Sequence, residues 1–186
     1  ITPKSLETVV VTGDKEELTI KLQDPVKKME FEGNNQHLVL RETYLDNIKF
    51  PEGLKEIEIR LKANGITIPD GVTKIGYWAF GDCKNLQGVV IPTGVTEIGN
   101  YAFASCESLT YILIPVSLTE IGLGIFSKCT SLKEIKIPYA VQGIKEEAFR
   151  ECESLATVDY DGTKEQWQAI SIDSTENDAL LNATIH

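Results

Sequence analysis

The chain repeats a 23-residue unit four times between positions 63 and 160. Five residue types keep this spacing through every copy. Their positions are Pro69, Pro92, Pro115 and Pro138; Ile75, Ile98, Ile121 and Ile144; Phe80, Phe103, Phe126 and Phe149; Cys83, Cys106, Cys129 and Cys152; and Leu86, Leu109, Leu132 and Leu155. A unit of this size cannot bury an apolar face by itself, so successive units must stack on one another. The period therefore predicts a solenoid.

Each unit contains one strand pattern and one short helical pattern. In the stretch "LTYILIP", the alternation places Leu109, Ile112 and Ile114 inward, and Tyr111 and Leu113 outward. The proline ends the strand because it cannot donate a hydrogen bond to a neighbouring strand. The following "NYAF" pattern has the spacing of one helical turn. We therefore expect a parallel sheet on one side of the solenoid and short helical turns on the other.

Residues 1–62 carry the strand pattern in a weaker form. Apolar residues at i, i+3 and i+5 begin at Leu6, Val26, Leu45 and Ala63, at intervals of 20, 19 and 18 residues. Each interval also holds a second alternating run, namely "ELTIKL", "HLVLR" or "LKEIEIR". These residues could form shortened coils of the solenoid or an antiparallel meander of hairpins. We favour shortened coils, because the strand phase carries through to Ala63.

The period breaks after Tyr160, and residues 161–186 are expected to close the solenoid. Thr163 and Gln166 match a capping box, which predicts a short helix. Trp167 would then cover the last coil, because the open end of a solenoid exposes its core. The predicted organisation is a β-rich section (1–62), four repeats with a closing strand (63–160) and a helical cap (161–186).

All four cysteines occupy the same position of the repeat. Thiols spaced about 4.8 Å apart in a row cannot converge on a zinc ion, whose sulfur ligands lie about 2.3 Å from one point. Disulfides between adjacent coils are within reach, since Cα atoms about 4.4–6.8 Å apart can be bridged. Stacked side chains point the same way, however, and Phe and Leu flank every cysteine. We predict four buried, reduced thiols that serve as packing.

Few residues of the chain are suited to catalysis or metal binding. His37 and His186 are the only histidines, and neither has a partner at a recognisable spacing, which disfavours a catalytic triad or a metal site. Asp159 and Asp161 could contribute to a Ca²⁺ site, but such sites need six or more oxygens, so a solvated strand end is favoured. We therefore expect no enzymatic activity, no metal and no cofactor.

The net charge of the chain disfavours some classes of binding partner. Its formal net charge of −10, from 28 acidic and 18 basic residues, repels phosphate backbones and disfavours nucleic-acid binding. No apolar stretch approaches the roughly 18 residues that membrane insertion would need. The start "ITPKSLETVV" is typical of a processed or trimmed N-terminus that lacks a signal peptide.

The repeat motif "CxxLxxIxIPxxVxxIGxxAF" resembles the BspA-like class of leucine-rich repeats found in bacterial surface and secreted proteins. The resemblance covers residues 63–160. Two units depart from the motif: in one, Leu118 replaces a valine and Gly124-Ile125 replaces the usual bulky residue and alanine, and in the next, Lys145 replaces a glycine. The resemblance implies an α/β repeat fold, a right-handed leucine-rich-repeat solenoid. It also implies a secreted or cell-surface bacterial protein that acts by recognition and adhesion.

The resemblance further implies that outward side chains of the sheet form the binding face. Apolar and aromatic residues cluster there in the repeats, and such a patch is a candidate contact surface for a protein or glycan. They are Val90, Tyr111, Leu113, Val116 and Tyr139. Two other interpretations remain open: β-propensity alone could place them there, or flanking coils could cover them. The chain, expected to be a monomer, could also be a structural spacer or the repeat fragment of a larger secreted enzyme.

Overall fold

The protein folds into short stacked strands, as a computed structural model shows for residues 6–12, 17–21, 26–32, 37–50 and 54–186. The strands are β1 (Leu6–Thr12), β2 (Glu17–Lys21), β3 (Val26–Glu32), β4 (His37–Lys49), β5 (Glu56–Thr67), β6 (Lys74–Ile75), β7 (Gly88–Val90), β8 (Glu97–Ile98), β9 (Tyr111–Leu113), β10 (Glu120–Ile121), β11 (Glu134–Ile137), β12 (Gly143–Ile144), β13 (Thr157–Tyr160), β14 (Ser171–Ile172) and β15 (Thr184–Ile185). The helices are α1 (Lys164–Ala169) and α2 (Asp178–Leu181). All strand pairs in these ranges are parallel, as stacked coils require. The predicted solenoid is confirmed.

The N-terminal strands pair in the register that their sequence pattern indicates. Leu6 lies opposite Val26, Val26 opposite Leu45, and Leu45 opposite Ala63. The second alternating runs pair with one another in the same way, through β2, β4 and β5. Parallel pairing belongs to shortened coils, whereas the hairpins of a meander would pair antiparallel.

Two rows of strands run along the repeats. The first row is a five-stranded sheet of β7, β9, β11, β13 and β15. The second row consists of two-residue strands around the repeated isoleucine: β6 and β8 extend the N-terminal sheet, and β10, β12 and β14 form another. Ile75 lies opposite Ile98, and Ile121 opposite Ile144. The sequence predicted only the first row, because a two-residue strand leaves no alternation to detect.

The Ala–Phe segments are reverse turns, which corrects the predicted helical turns. Alternate N–H groups of this segment donate to carbonyls of the next coil, and the N–H groups between them bond within the turn. The bonds between coils are Trp78 N to Asn100 O (3.1 Å), Phe80 N to Ala102 O (2.7 Å) and Asp82 N to Ala104 O (2.8 Å). Trp78 and Asp82 take positive φ angles of 55° and 63° to allow this. One helical turn is unstable alone, so bonds to the neighbouring coil determine the conformation.

The core of the solenoid is built from rows of identical side chains. The four repeated phenylalanines are buried, with ring centroids 5.3, 6.1 and 5.5 Å apart along the row. In β9 and its flanks, Leu109, Ile112 and Ile114 are buried, whereas Tyr111 and Leu113 are exposed. The predicted inward and outward phase of the strand is therefore confirmed.

The C-terminal segment contains the predicted helix and an additional coil. Thr163 and Gln166 form the capping box of α1, and Trp167 packs edge-on against Tyr160 at a centroid distance of 5.3 Å. Beyond α1, Ile172 lies opposite Ile144 and Ile185 lies opposite Val158. Residues 171–186 thus continue both strand rows, so the helix is an insertion before a further coil.

Candidate functional site

Five exposed apolar side chains lie on the five-stranded sheet or in the turns that directly follow its strands. Val90 is 57% exposed, Tyr111 49%, Leu113 37%, Val116 51% and Tyr139 57%. They are five of the eight large hydrophobic side chains that are exposed where side chains are described. The exposed apolar surface is therefore concentrated on one face, and these five residues are called the sheet-face patch below.

Strand register places three residues of the sheet-face patch side by side. Val90 lies opposite Leu113 across β7 and β9, and Gly88 lies opposite Tyr111. Val116 and Tyr139 follow the prolines of successive repeats, so they lie one coil apart. The carbonyl oxygen of Tyr139 accepts a 3.5 Å hydrogen bond from the hydroxyl of the buried Tyr160. This bond ties the backbone of one patch residue to the neighbouring coil.

A groove of about 500 Å³ borders the sheet-face patch where the first strand row is interrupted. No pairing joins β5 to β7 within the described chain, and the groove lies between them. Ile66 and Ile68 line one wall, and Val90 and Tyr111 line the other. Asp70 is the one charged residue among the described residues that line it.

The missing side chain at Gly88 keeps the groove open on the β7 side. The equivalent positions of later coils carry Tyr111, Glu134 and Thr157, whose side chains would occupy this space. The Tyr111 ring leans over the glycine, since a Cβ at Gly88 would lie 3.3 Å from Cδ1 of Tyr111. The patch predicted from the sequence leaves out Gly88 and Asp70, although both fall at outward positions of the repeat; the signal for the groove was the missing side chain at Gly88 in a row of larger residues.

Charged residues border the opposite end of the sheet-face patch. Lys136 lies opposite Leu113, and its ammonium group is 3.9 Å from an Asp159 oxygen and 3.4 Å from an Asp161 oxygen. Glu134 is exposed in the same strand as Lys136. Exposed ion pairs of this kind contribute little stability. With three acidic residues, Glu134, Asp159 and Asp161, around Lys136, this border of the patch carries more negative than positive charge.

Asp159 and Asp161, the candidate calcium ligands, are thus both paired with Lys136. Across the described residues, no three His, Cys, Asp or Glu side chains converge as ligands of a metal ion would. His186, the last residue, takes part in the edge of the five-stranded sheet through its backbone N–H, which donates to Val158 O at 2.9 Å.

The four cysteines are buried and form no disulfide. Three thiols donate to the phenylalanine carbonyl of the preceding coil. These bonds run from Cys106 to Phe80 O (3.2 Å), from Cys129 to Phe103 O (3.3 Å) and from Cys152 to Phe126 O (3.1 Å). Burial raises the pKa of the Cys152 thiol to about 12. A hydrogen bond with Cys83 and then burial hold the pKa of Cys106 well above its ordinary value.

We expect iodoacetamide to label no cysteine of the native protein at pH 8. The thiolate is the reactive form, and a thiol with a pKa near 12 is ionised in about one molecule per ten thousand at that pH. Mass spectrometry should show no adduct before unfolding, four adducts in urea and no mass change on reduction. A gain of two protons per thiol pair on reduction of the native protein would contradict this packing role.

A second aromatic group lies on the turn side. The rings of Tyr77, Trp78 and Tyr101 have centroids 5.7–6.3 Å apart. Trp78 covers Gly81 and Tyr101 covers Gly124, where an added Cβ would meet each ring within 2.4 Å. These rings fill the space above glycines and pack on one another, so their role is structural.

The helices in the described ranges are too short or too polar to span a lipid bilayer.

Known proteins share this fold. The family model of the BspA type leucine-rich repeat region matches residues 58–177 in six copies. A leucine-rich cell surface protein of Faecalibacterium prausnitzii is 22% identical, with a TM-score of 0.54 over 84% of this chain and 63% of its own. A leucine-rich repeat protein of Bacteroides ovatus is 30% identical, with a TM-score of 0.53 over 75% of this chain and 39% of its own. The chain therefore spans less than two thirds of either protein.

A third structure matches over nearly its whole length. The T. pallidum leucine-rich repeat protein is 20% identical, with a TM-score of 0.57 over 91% of this chain and 92% of its own. No curated protein matches the chain significantly in sequence. The repeat motif, the stacked parallel coils and the family match over 58–177 agree. The chain therefore belongs to the BspA-type leucine-rich-repeat family.

Proposed function

We propose that the protein is a non-catalytic recognition module that binds a partner protein or glycan through the sheet-face patch. The observation that carries this proposal is the concentration of exposed apolar side chains on one face. Large exposed apolar patches on a soluble protein mark interaction sites more often than chance. Aromatic side chains such as Tyr111 and Tyr139 contribute much contact area at interfaces for little conformational entropy.

The setting of this recognition is proposed to be a bacterial cell surface or the extracellular space, with adhesion as the role. The Faecalibacterium prausnitzii relative is described as a cell surface protein, which supports the location. Hydrogen-bonded strands hold Val90, Tyr111 and Leu113 in fixed positions before binding. Such preorganisation reduces the entropy lost when a partner docks.

We expect the double substitution of Tyr111 and Leu113 by serine to weaken capture of a partner about 30-fold or more. Central aromatic and aliphatic contacts supply most of the binding free energy of an interface. The measurement is biolayer interferometry of the full chain against immobilised extracellular-matrix proteins and mucin. Both side chains are exposed, so the fold should tolerate the change.

The matched control is Tyr77→Ser, which removes an equally exposed tyrosine (55%) from the turn side and should leave binding unchanged. Equal binding by the wild type, the double variant and the control would reject the patch and favour another surface. Failure of the wild type to bind any surface would favour the structural-spacer interpretation. Turnover of any panel member would favour the enzyme-fragment interpretation.

A further inference from the structure

We propose that the groove beside Tyr111 receives a lysine or arginine side chain from a protein partner. The inference rests on the proposed function, because it identifies the chemistry of the partner at the border of the sheet-face patch. It adds a subsite of defined class to a surface that is otherwise only apolar.

The shape and lining of the groove fit a long cationic side chain. Apolar walls from Ile66, Ile68 and Val90 can cover a methylene stem, and Asp70 can meet the charged head. The Tyr111 ring forms part of one wall, where a cation within about 6 Å of the ring centre is attracted to its face. An acidic side chain would instead meet the Asp70 carboxylate and be repelled.

The charges around the sheet-face patch favour the same partner. Asp70 lies at one border, while Glu134, Asp159 and Asp161 outnumber Lys136 at the other. The whole chain carries a net charge of −10. An acidic glycan would therefore be disfavoured, and a polypeptide with basic residues on both sides of an apolar centre would be complementary.

The spacing of the two borders indicates the length of that polypeptide. The coil that ends at Asp70 and the coil of Asp159 are four steps apart, or at least roughly 19 Å, because three of these steps are paired at about 4.8 Å and the unpaired step across the groove is no shorter. An extended chain of about six residues spans this distance at about 3.3 Å per residue. A segment of this length, lying across the strands, can place one basic side chain in the groove and another near Asp159.

The groove is tested by NMR titration of the isotopically labelled full chain with N-acetyl-arginine amide. We expect the backbone signals of Gly88, Val90 and Tyr111 to shift at millimolar probe concentrations. N-acetyl-leucine amide, N-acetyl-glutamate amide and N-acetylglucosamine should not shift them at the same concentrations. Added salt should weaken the arginine effect, because an exposed charge pair is screened.

Two variants test the roles of charge and space. Asp70→Asn should weaken the binding of the arginine probe about two- to fivefold, the range expected for the loss of an exposed ion pair. Gly88→Thr should abolish the probe-induced shifts of Val90 and Tyr111, because its side chain fills the groove. Threonine already occupies the equivalent position of a later coil, at Thr157. Glu153→Gln removes an exposed charge elsewhere and should change nothing.

The outcomes separate this inference from the proposed function. Absence of arginine-induced shifts overturns the cationic subsite, even if the chain still captures a partner through the sheet-face patch. Equal or larger shifts with leucine amide or N-acetylglucosamine also overturn it, in favour of an apolar or a sugar subsite. Arginine shifts that vanish in Gly88→Thr support the subsite, even if no member of the surface panel is captured.

Discussion

Phe103→Ala is expected to lower the free energy of unfolding by about 3–5 kcal/mol, the usual cost of removing a fully buried phenylalanine. Phe103 has no exposed surface and lies between Phe80 and Phe126, with ring centroids 5.3 and 6.1 Å away. Its loss opens a cavity in the middle of the row and removes two ring contacts. Neighbouring coils cannot close this cavity, because their spacing is fixed by hydrogen bonds between the coils.

Equilibrium unfolding in urea, followed by circular dichroism, measures this effect. Tyr139→Ala is the matched control, because it deletes an aromatic ring from the surface and should change stability by no more than about 0.5 kcal/mol. Repeat proteins can unfold in parts, so a second probe must give the same transition. A loss below about 1 kcal/mol for Phe103→Ala would show that the row of rings does not hold the coils together.

The repeat made much of this fold predictable. A fixed period with Phe103 and its equivalents in one register requires stacked coils, and alternation around Tyr111 indicates which side chains point outward. The same alternation located Val90, Tyr111 and Leu113, and the positions after the repeated prolines located Val116 and Tyr139; all five side chains are exposed in the structure. These features are local and repeated four times, so each copy reinforces the prediction.

The features that sequence reasoning missed depend on contacts between coils. The groove beside Gly88 exists only because β5 and β7 are neighbours without being paired. The reverse turns at Trp78 form because their N–H groups find carbonyls on the next coil. A single unit read alone cannot show either feature, since the partner atoms belong to residues about 23 positions away.

The last coil was missed for a related reason. It keeps both strand rows through Ile172 and Ile185, but α1 is inserted before it and the period is lost. At the position of the repeated phenylalanine, this coil has the buried Asn177. Its amide replaces apolar stacking by hydrogen bonds to the coil before it, a substitution that no apolar pattern can reveal.

We expect Asn177→Ala to open the last coil while the rest of the solenoid stays folded. The Asn177 side chain accepts a 2.9 Å bond from Phe149 N and donates bonds of 2.8 and 2.7 Å to Lys145 O and Asp173 O. The buried Phe149 N–H loses its partner, at a cost of about 1–3 kcal/mol, and two part-buried carbonyls each lose a bond, so we expect a total loss of about 3 kcal/mol. The cost falls on residues 171–186, because each coil of a solenoid is stabilised mainly by its neighbours.

The labelling rates of two cysteines measure how far the opening of the last coil extends. Cys152 lies in the coil next to the last one, so its labelling by a thiol reagent should become about 100-fold faster, as a loss of about 3 kcal/mol in the opening free energy implies. Cys106 lies two coils farther away and should remain protected. Asn182→Ala, at an exposed asparagine of the same coil, should leave both rates unchanged. If Cys152 stayed protected in Asn177→Ala, the bonds of Asn177 would not be what closes this end; if Cys106 reacted equally fast, the solenoid would unfold as one unit.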